Sequence, residues 1–280
     1  MSAFTDLKIQ FNENDKMKTM KRLFKAAFID IDWTVLDHYI HDWDYDSIEA
    51  IKKIQKMGVQ IIFVTARSYA SVKGTGLFNL ITPNGIITNN GGLTFYNDEI
   101  LYKKTIPEDL VKKALEVANK NDVVLQFATL KDRHFTNEPN DYVRQYYSVY
   151  HEEWPVIRKD YVSDVTEIIA FVPNEYDEKL TKELPIELKY YRYDTYGVNV
   201  SYFTNKKGDA IIKLLNYLNI DKENTLAFGD SQDDISMFEA VGFSVAMGNS
   251  KDDLVKEKAT IVTDTISNHG VASIIADLFF

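Results

Sequence analysis

The chain has no cysteine. That absence excludes disulfides, thiolate metal sites and a thiol nucleophile. Positive charge is short as well. Against 42 Asp and Glu stand 32 Lys and Arg, giving a formal net charge of −10 and a pI of about 5.1. A nucleic-acid binder needs a basic footprint, and this balance argues against one. An anionic ligand must be drawn in by local positive charge or a metal, against the field of the whole chain. No apolar run is long enough to span a bilayer, and residues 1–20 lack the apolar core of a signal peptide. With no address of either kind, the chain reads as cytoplasmic. There is no internal repeat and no low-complexity stretch. What is present is ordinary for a soluble globular protein: 45% hydrophobic and 26% charged residues over 280 positions. That length suits one large domain, or a core domain with a second one inserted.

The most informative stretch is Phe28-Ile29-Asp30-Ile31-Asp32-Trp33-Thr34-Val35. The apolar run Leu23–Ile31 reads as a strand buried on both faces, and two carboxylates interrupt it where it should end. Residues two apart on a strand point to the same side. Asp30 and Asp32 therefore emerge together at the C-terminal end of the strand, the edge at which open α/β sheets bind ligands. Carboxylates that close either share a proton or hold a cation. The alternative is a solvated strand end, since Asp is common in turns.

Residues 1–22 are polar and aperiodic and read as a loose tail or a short surface helix, with Met17 or Met20 as alternative natural starts. After the first strand, residues 36–46 read as a loop or flap. Ser47 or Asp44 can cap a helix carrying Ile48, Ile51, Ile54 and Met57, which Gly58 ends. A second buried strand, Val59–Val64, ends at Thr65-Ala66-Arg67. A short helix leads to the turn Asn84-Gly85 and a third strand, Ile86–Thr88. Strand and helix in alternation predict a doubly wound α/β sheet. At Asn89-Asn90-Gly91-Gly92 the pattern changes to a hairpin (Leu93–Tyr96, Glu99–Lys104) and then to mixed helices and strands. Residues 93–197 therefore read as an inserted α+β domain, and residues 23–92 with 198–280 as the Rossmann-like core. The core pattern resumes with a helix at Lys206–Leu218 and a strand ending at Gly229-Asp230.

Four sites fall at the C-terminal ends of core strands or at the helix entries beside them: Asp30/Asp32, Thr65, Lys207 and Asp230/Asp234. Each has an ordinary explanation alone. Thr65 suits a helix cap, and an acidic run from Asp230 to Asp234 suits a helix start. Lys206 and Lys207 at a helix start oppose the dipole, which favours a fixed anion nearby. Together on one sheet edge, the four suit phosphoryl transfer. A carboxylate attacks phosphorus, a metal, a Lys and hydroxyl or backbone donors neutralise the equatorial oxygens, and a second carboxylate moves the proton. Oxygen ligands without Cys fit Mg²⁺.

The chain here resembles the haloacid dehalogenase-like (HAD) superfamily. The residues that carry the resemblance are Asp30-Ile31-Asp32-x-Thr34, Thr65, Lys207-Gly208 and Gly229-Asp230-x-x-Asp233-Asp234-x-x-Met237. The phrases Val64-Thr65-Ala66-Arg67, Asn89-Asn90-Gly91 and Val245-Ala246-Met247-Gly248-Asn249 resemble its Cof-type phosphatases, in which an α/β (C2B-type) cap stands between the second and third motifs. The resemblance implies Asp30 as nucleophile and Mg²⁺ ligand, and Asp32 as general acid/base with its backbone carbonyl on the metal. It implies Thr65 and the backbone at Ala66 on the phosphoryl oxygens, and Lys207 neutralising the phosphoryl group and holding the nucleophile. Asp230 completes the metal site with Asp234 in support, while Asn89, Asn90 and Gly91 lie at the entrance. A small phosphorylated metabolite is the implied partner, with neither nucleic acid nor membrane, for a monomer or homodimer.

Two positions depart from the family pattern. Trp33 stands where Gly is usual; a helical turn there does not demand a positive φ, so the fold survives and the indole packs under the flap, contacts the leaving group or is simply core. Asp233 stands where Asn is usual. A carboxylate cannot donate to a phosphoryl oxygen, so phosphate affinity falls or Asp233 turns toward Lys207. In the cap, Tyr142, Tyr146, Tyr147, Tyr150, Trp154 and Tyr161 offer flat surfaces to a sugar or aromatic ring. Arg133, His134, Arg144 and Arg158 suit a second anion; cap core or surface is the alternative for all of them. The leading expectation is an Mg²⁺-dependent phosphatase of sugar phosphates or a phosphorylated cofactor. The alternatives are a phosphomutase-like phosphotransferase and a non-catalytic phosphometabolite sensor.

Overall fold

The computed structural model describes residues 24–130, 132–150, 154–159, 161–192, 195–202 and 205–280, with the backbone alone at 149, 150, 191 and 201. The polar stretch 1–22, and Leu23 at the head of the first apolar run, lie outside these residues. The first half of the core comprises β1 (Ala26–Ile29), β2 (Leu36–Asp37), β3 (Asp42–Trp43), α1 (Tyr45–Lys56), β4 (Gln60–Val64), α2 (Tyr69–Gly74), α3 (Leu77–Leu80), β5 (Gly85–Thr88), β6 (Leu93–Tyr96) and β7 (Glu99–Lys103). The insert follows, with α4 (Glu108–Lys120), β8 (Val124–Thr129), β9 (Arg133–Phe135), α5 (Asp141–Tyr150), β10 (Val156–Ile157), β11 (Val165–Phe171), α6 (Asp177–Glu183), β12 (Lys189–Arg192) and β13 (Val198–Ser201). The chain closes with α7 (Lys207–Leu218), β14 (Thr225–Gly229), α8 (Ile235–Ala240), β15 (Phe243–Ala246), α9 (Asp253–Lys258), β16 (Ile261–Val262) and α10 (Gly270–Phe279).

The larger sheet has eight strands in the order β16-β15-β14-β1-β4-β5-β6-β7. From β16 to β5 neighbouring strands are parallel; β6 and β7 add an antiparallel edge. The central strands are buried along their whole length because helices cover both faces. Ala27, Ile29, Ile61, Phe63, Leu226 and Phe228 pack with Ile48, Ile51 and Ile54 of α1 and Val271 and Ile275 of α10. The alternate set, Ala26, Phe28, Ile62, Val64 and Ala227, packs against Ala210, Ile211 and Leu214 of α7 and Met237 and Phe238 of α8. Asp44 is the cap of α1, with its carboxylate accepting from the Ser47 N–H at 3.2 Å, and Gly58 leaves the helix at φ +97°.

The smaller sheet runs β10-β9-β8-β11-β13-β12. One face packs on α4 and α6 through Leu110, Val111, Ala114 and Leu180; the other is partly covered by α5 through Val143, Tyr146 and Tyr147. Two segments fall on the other side of the division from where the sequence reading puts them. The hairpin β6–β7 pairs with β5, so residues 93–103 extend the larger sheet rather than opening the insert. Val198–Ser201 pairs with β11 and β12 and so belongs to the smaller sheet. Within residues 36–46, the expected flap is a two-stranded ribbon, β2 against β3.

The first turn of α7 packs tightly against the first turn of α8. A Cβ on Gly208 would lie 2.0 Å from the Ser236 backbone oxygen, and the Gly208 N–H donates to Ser236 Oγ at 3.2 Å. Gly208→Ala must push α7 away from α8. It should lower unfolding free energy by about 1–3 kcal/mol, read by urea denaturation; a variant as stable as the parent would contradict this packing.

Candidate active site

Parallel register sets the site. Ile29 of β1 pairs with Phe63 of β4 and with Phe228 of β14. The strands therefore end level, and Asp30, Thr65 and Asp230 leave the same edge of the sheet. Lys207, at the first position of α7, crosses to this edge. A Cβ on Gly91 would lie 2.6 Å from the Lys206 backbone oxygen, so only glycine lets the Asn89–Gly91 turn approach the start of α7 so closely.

Lys207 is buried to 1% exposure and its ammonium meets three carboxylates: Asp30 Oδ1 at 2.7 Å, Asp234 Oδ1 at 2.7 Å and Asp233 Oδ2 at 3.3 Å. Burial disfavours the charged amine, but these three anions outweigh it and hold Lys207 protonated well above its ordinary range. Burial also pushes the Asp30 carboxyl well up; Lys207 opposes the rise, and Asp234, Asp230 and Asp233 add to it. Of the two departures, Asp233 takes the second course open to it and faces Lys207.

Asp234 is committed to the loop. Its Oδ2 accepts from the Asp230 N–H at 2.9 Å, the Ser231 N–H at 3.0 Å and Ser231 Oγ at 3.1 Å, forming a capping box with Ser231. A Cβ on Gly229 would strike Asp234 Cγ at 2.4 Å, which explains the glycine before Asp230. Carboxylate oxygens of Asp30, Asp230 and Asp234 lie within 4.8 Å of one another. Burial and the neighbouring Asp234 push Asp230 up to about 8. An oxygen-only donor set that resists ionising for want of positive charge suits a hard divalent cation. A second acidic group, Asp44, Asp46 and His269, is explained by the cap of α1, where His269 Nδ1 meets Asp44 at 2.7 Å.

Asp32 is held differently from its neighbour two residues before. Arg67 grips it through Nη2 at 2.7 Å and Nε at 2.9 Å, and His38 Nε2 approaches at 2.5 Å. Burial would raise this carboxyl, but the Arg67 guanidinium and the His38 contact overcome it and hold it well below the usual carboxylate range. Sequence reasoning assigns no role to Arg67 or His38. The available signal is an Arg two residues after Thr65, in a chain with a negative field. Thr65 is fully buried, and its hydroxyl accepts from the Arg67 N–H at 3.1 Å, so it shapes the loop that aims Arg67. Ala66 is exposed beside it. Asn89, Asn90 and Gly91 all adopt positive φ, and Asn90 N–H donates to the Thr65 carbonyl at 3.1 Å. Asn89 Nδ2 and Asn90 Oδ1 are buried without a partner among the described residues.

Trp33 corrects an expectation. Its φ is +60°, in the left-handed region that suits glycine. The backbone there is held from both sides: Trp33 N–H donates to Leu36 O at 2.9 Å, and Asn249 Nδ2 donates to Trp33 O at 2.8 Å. The indole packs on the flap, with ring centroids 5.1 Å from His38 and 4.7 Å from Tyr39. In the insert, Tyr146, Tyr147 and His134 are buried core, Arg144 pairs with Asp141, Arg158 pairs with Asp132, and Trp154 is exposed. Arg133 is buried too, with its guanidinium 6.0 Å from the Tyr147 ring, while Tyr142 and Tyr161 are part-buried. The Tyr150 side chain lies outside the described residues.

The family model of haloacid dehalogenase-like hydrolases matches residues 27–275. The chain belongs to this family. Its branch is the Cof-type, subclass IIB group with a cap domain, and its activity class is that of a phosphatase, a phosphoric monoester hydrolase. It is 26% identical over 257 residues to phosphoglycolate phosphatase 1 of Saccharolobus solfataricus, covering 91% of this chain and 96% of that one. It is 27% identical over 254 residues to the 5-amino-6-(5-phospho-D-ribitylamino)uracil phosphatase YcsE of Bacillus subtilis, covering 90% and 94%. The structure superposes on the subclass IIB sugar phosphatase BT4131 with a TM-score of 0.73 at 27% identity, covering 90% and 98%. Metal dependence is typical of the family. No helix among the described residues is long and apolar enough to cross a membrane.

Trp33→Ala removes the ring packing and keeps a Cβ at positive φ, whereas Trp33→Gly removes both. The Gly variant should be the more stable of the two by about 1 kcal/mol, measured by urea denaturation. An Ala variant equal to or more stable than the Gly variant would show that the backbone at this position carries no strain.

Proposed function

We propose that this enzyme is an Mg²⁺-dependent phosphatase of small phosphorylated metabolites, acting through an aspartyl-phosphate on Asp30. The observation that carries the reading is the buried Asp30–Lys207 pair at the strand edge, with Asp230 beside it and a second carboxylate, Asp32, held separately two residues on. Asp30 attacks phosphorus as the bond to the leaving oxygen breaks, and the leaving oxygen takes a proton from Asp32. Water then attacks the phosphorus of the aspartyl-phosphate and gives a proton to Asp32, while the bond to Asp30 breaks and phosphate leaves. Asp32 suits the base role as it stands. It serves as acid once the entering substrate weakens its contact with Arg67. Lys207 keeps Asp30 aimed and meets phosphoryl charge. The exposed Ala66 backbone and the open amide groups of Asn89 and Asn90 supply further contacts at the mouth, next to Gly91. Asp30, Asp230 and the Asp32 backbone carbonyl would hold Mg²⁺, with Asp234 fixing the loop behind them, and the ion would neutralise the phosphoryl oxygens.

Relatives that act on phosphoglycolate and on a phosphorylated ribitylaminouracil, and a structural neighbour described as a sugar phosphatase, support a small phosphorylated metabolite as substrate. A phosphate-release screen over such metabolites, with Asp30→Asn as the blank, tests the reading. Release by the parent protein should be lost in Asp30→Asn and in chelator. Release that persists in Asp30→Asn would exclude Asp30 as nucleophile.

Binding of Mg²⁺ should be pH-dependent. In the metal-free protein Asp230 keeps its proton up to about 8, far above the model-peptide value of 3.8. Between those values the folded state binds more protons than the unfolded chain, so metal-free stability falls as pH rises through the window. The cation must displace that proton. Its affinity should therefore weaken about tenfold per unit as pH falls below about 8, with proton release visible in calorimetric titrations run in buffers of different ionisation enthalpy. Affinity unchanged between pH 8 and pH 6 would contradict the account.

A further inference from the structure

Lys207 has three N–H donors and no acceptor. Three carboxylates take them: Asp30 and Asp234 at 2.7 Å each, and Asp233 at 3.3 Å. An incoming phosphoryl oxygen that seeks this ammonium finds no donor open. The three neighbours are unequal, however. The Asp30 and Asp234 side chains are 6% and 0% exposed, whereas Asp233 is 35% exposed and makes the longest contact. Asp234 is locked by three further hydrogen bonds in its loop. Asp233 is tied otherwise through the Ser231 hydroxyl at 2.5 Å. Only Asp233 can leave Lys207 for water without taking the loop or the nucleophile with it.

We propose that Asp233 is a placeholder on Lys207, which a phosphoryl anion must displace on entry and which takes the ammonium back as phosphate departs. This deepens the phosphatase reading and rests on it, since it specifies how that site trades substrate affinity against product release. Two costs fall on the anion. It must break the Asp233–Lys207 contact, and it then shares the pocket with an additional negative charge. Both act on substrate and on inorganic phosphate, so both lower affinity without removing any group that takes part in the chemistry.

The test uses Asp233→Ala and Asp233→Asn in the full chain with Mg²⁺ present. The probe is inorganic phosphate, followed by calorimetric titration and by competitive inhibition of turnover. Ser231 keeps its bond to Asp234 in both variants, and thermal unfolding checks that the loop persists. Both variants should bind phosphate about tenfold more tightly than the parent, with KM lowered in step. Tighter binding in Asp233→Asn alone would overturn the proposal, because an added amide donor then accounts for the gain. Unchanged or weaker binding in Asp233→Ala would overturn it as well. If both variants bind phosphate more tightly while the parent hydrolyses no phosphate ester, the placeholder contact stands and the phosphatase reading fails.

Discussion

One buried ammonium organises the catalytic edge. Four carboxylates, Asp30, Asp230, Asp233 and Asp234, crowd a space where burial already penalises each of them. Lys207 is the cation that three of them share. Removing one partner from a buried ionic cluster leaves the rest uncompensated, at a cost of about 3–5 kcal/mol. Much of the surrounding backbone serves to bring Lys207 there. Gly91 lets the turn after β5 approach the start of α7, and Gly208 lets α7 approach the first turn of α8. Level strand ends then deliver Asp30 and Asp230 to the same point.

Asp30 and Asp32 are two residues apart and their environments push them in opposite directions. Burial and like charge raise Asp30, whereas Arg67 and His38 hold Asp32 down. Environments that separate two carboxyls in this way are how one site assigns distinct roles to identical groups. For the roles proposed above, the environment leaves Asp30 resisting ionisation and Asp32 resisting protonation. A divalent cation at Asp30 and Asp230 would reverse the first condition, and a substrate oxygen competing with Arg67 for Asp32 would reverse the second.

Local pattern made the strands, the helices and the carboxylates at the sheet edge readable, because a buried parallel strand ending in Asp-x-Asp combines burial with charge in a way few other segments do. It could not show which sheet the hairpin at Leu93–Lys103 joins, since the alternation in a hairpin is the same at a core edge and in an insert. The positive φ at Trp33 was hidden because an indole there contradicts the local preference; the backbone is held by Asn249, 216 residues away. The grip of Arg67 on Asp32 spans 35 residues and depends on how the loop after β4 curls around Thr65. Likewise the resemblance implies Asp234 in support of the metal site, and the structure adds the four donors, from the loop and Lys207, that hold its oxygens.

The central claim is that Asp30 carries the phosphoryl group. The most direct measurement is intact-protein and peptide mass spectrometry after rapid acid quench during turnover. The account predicts a transient species heavier by one phosphoryl group, mapped to the peptide holding Asp30 and absent from Asp30→Asn. Turnover with no such species at any quench time, or with the phosphoryl group on another residue, would contradict it.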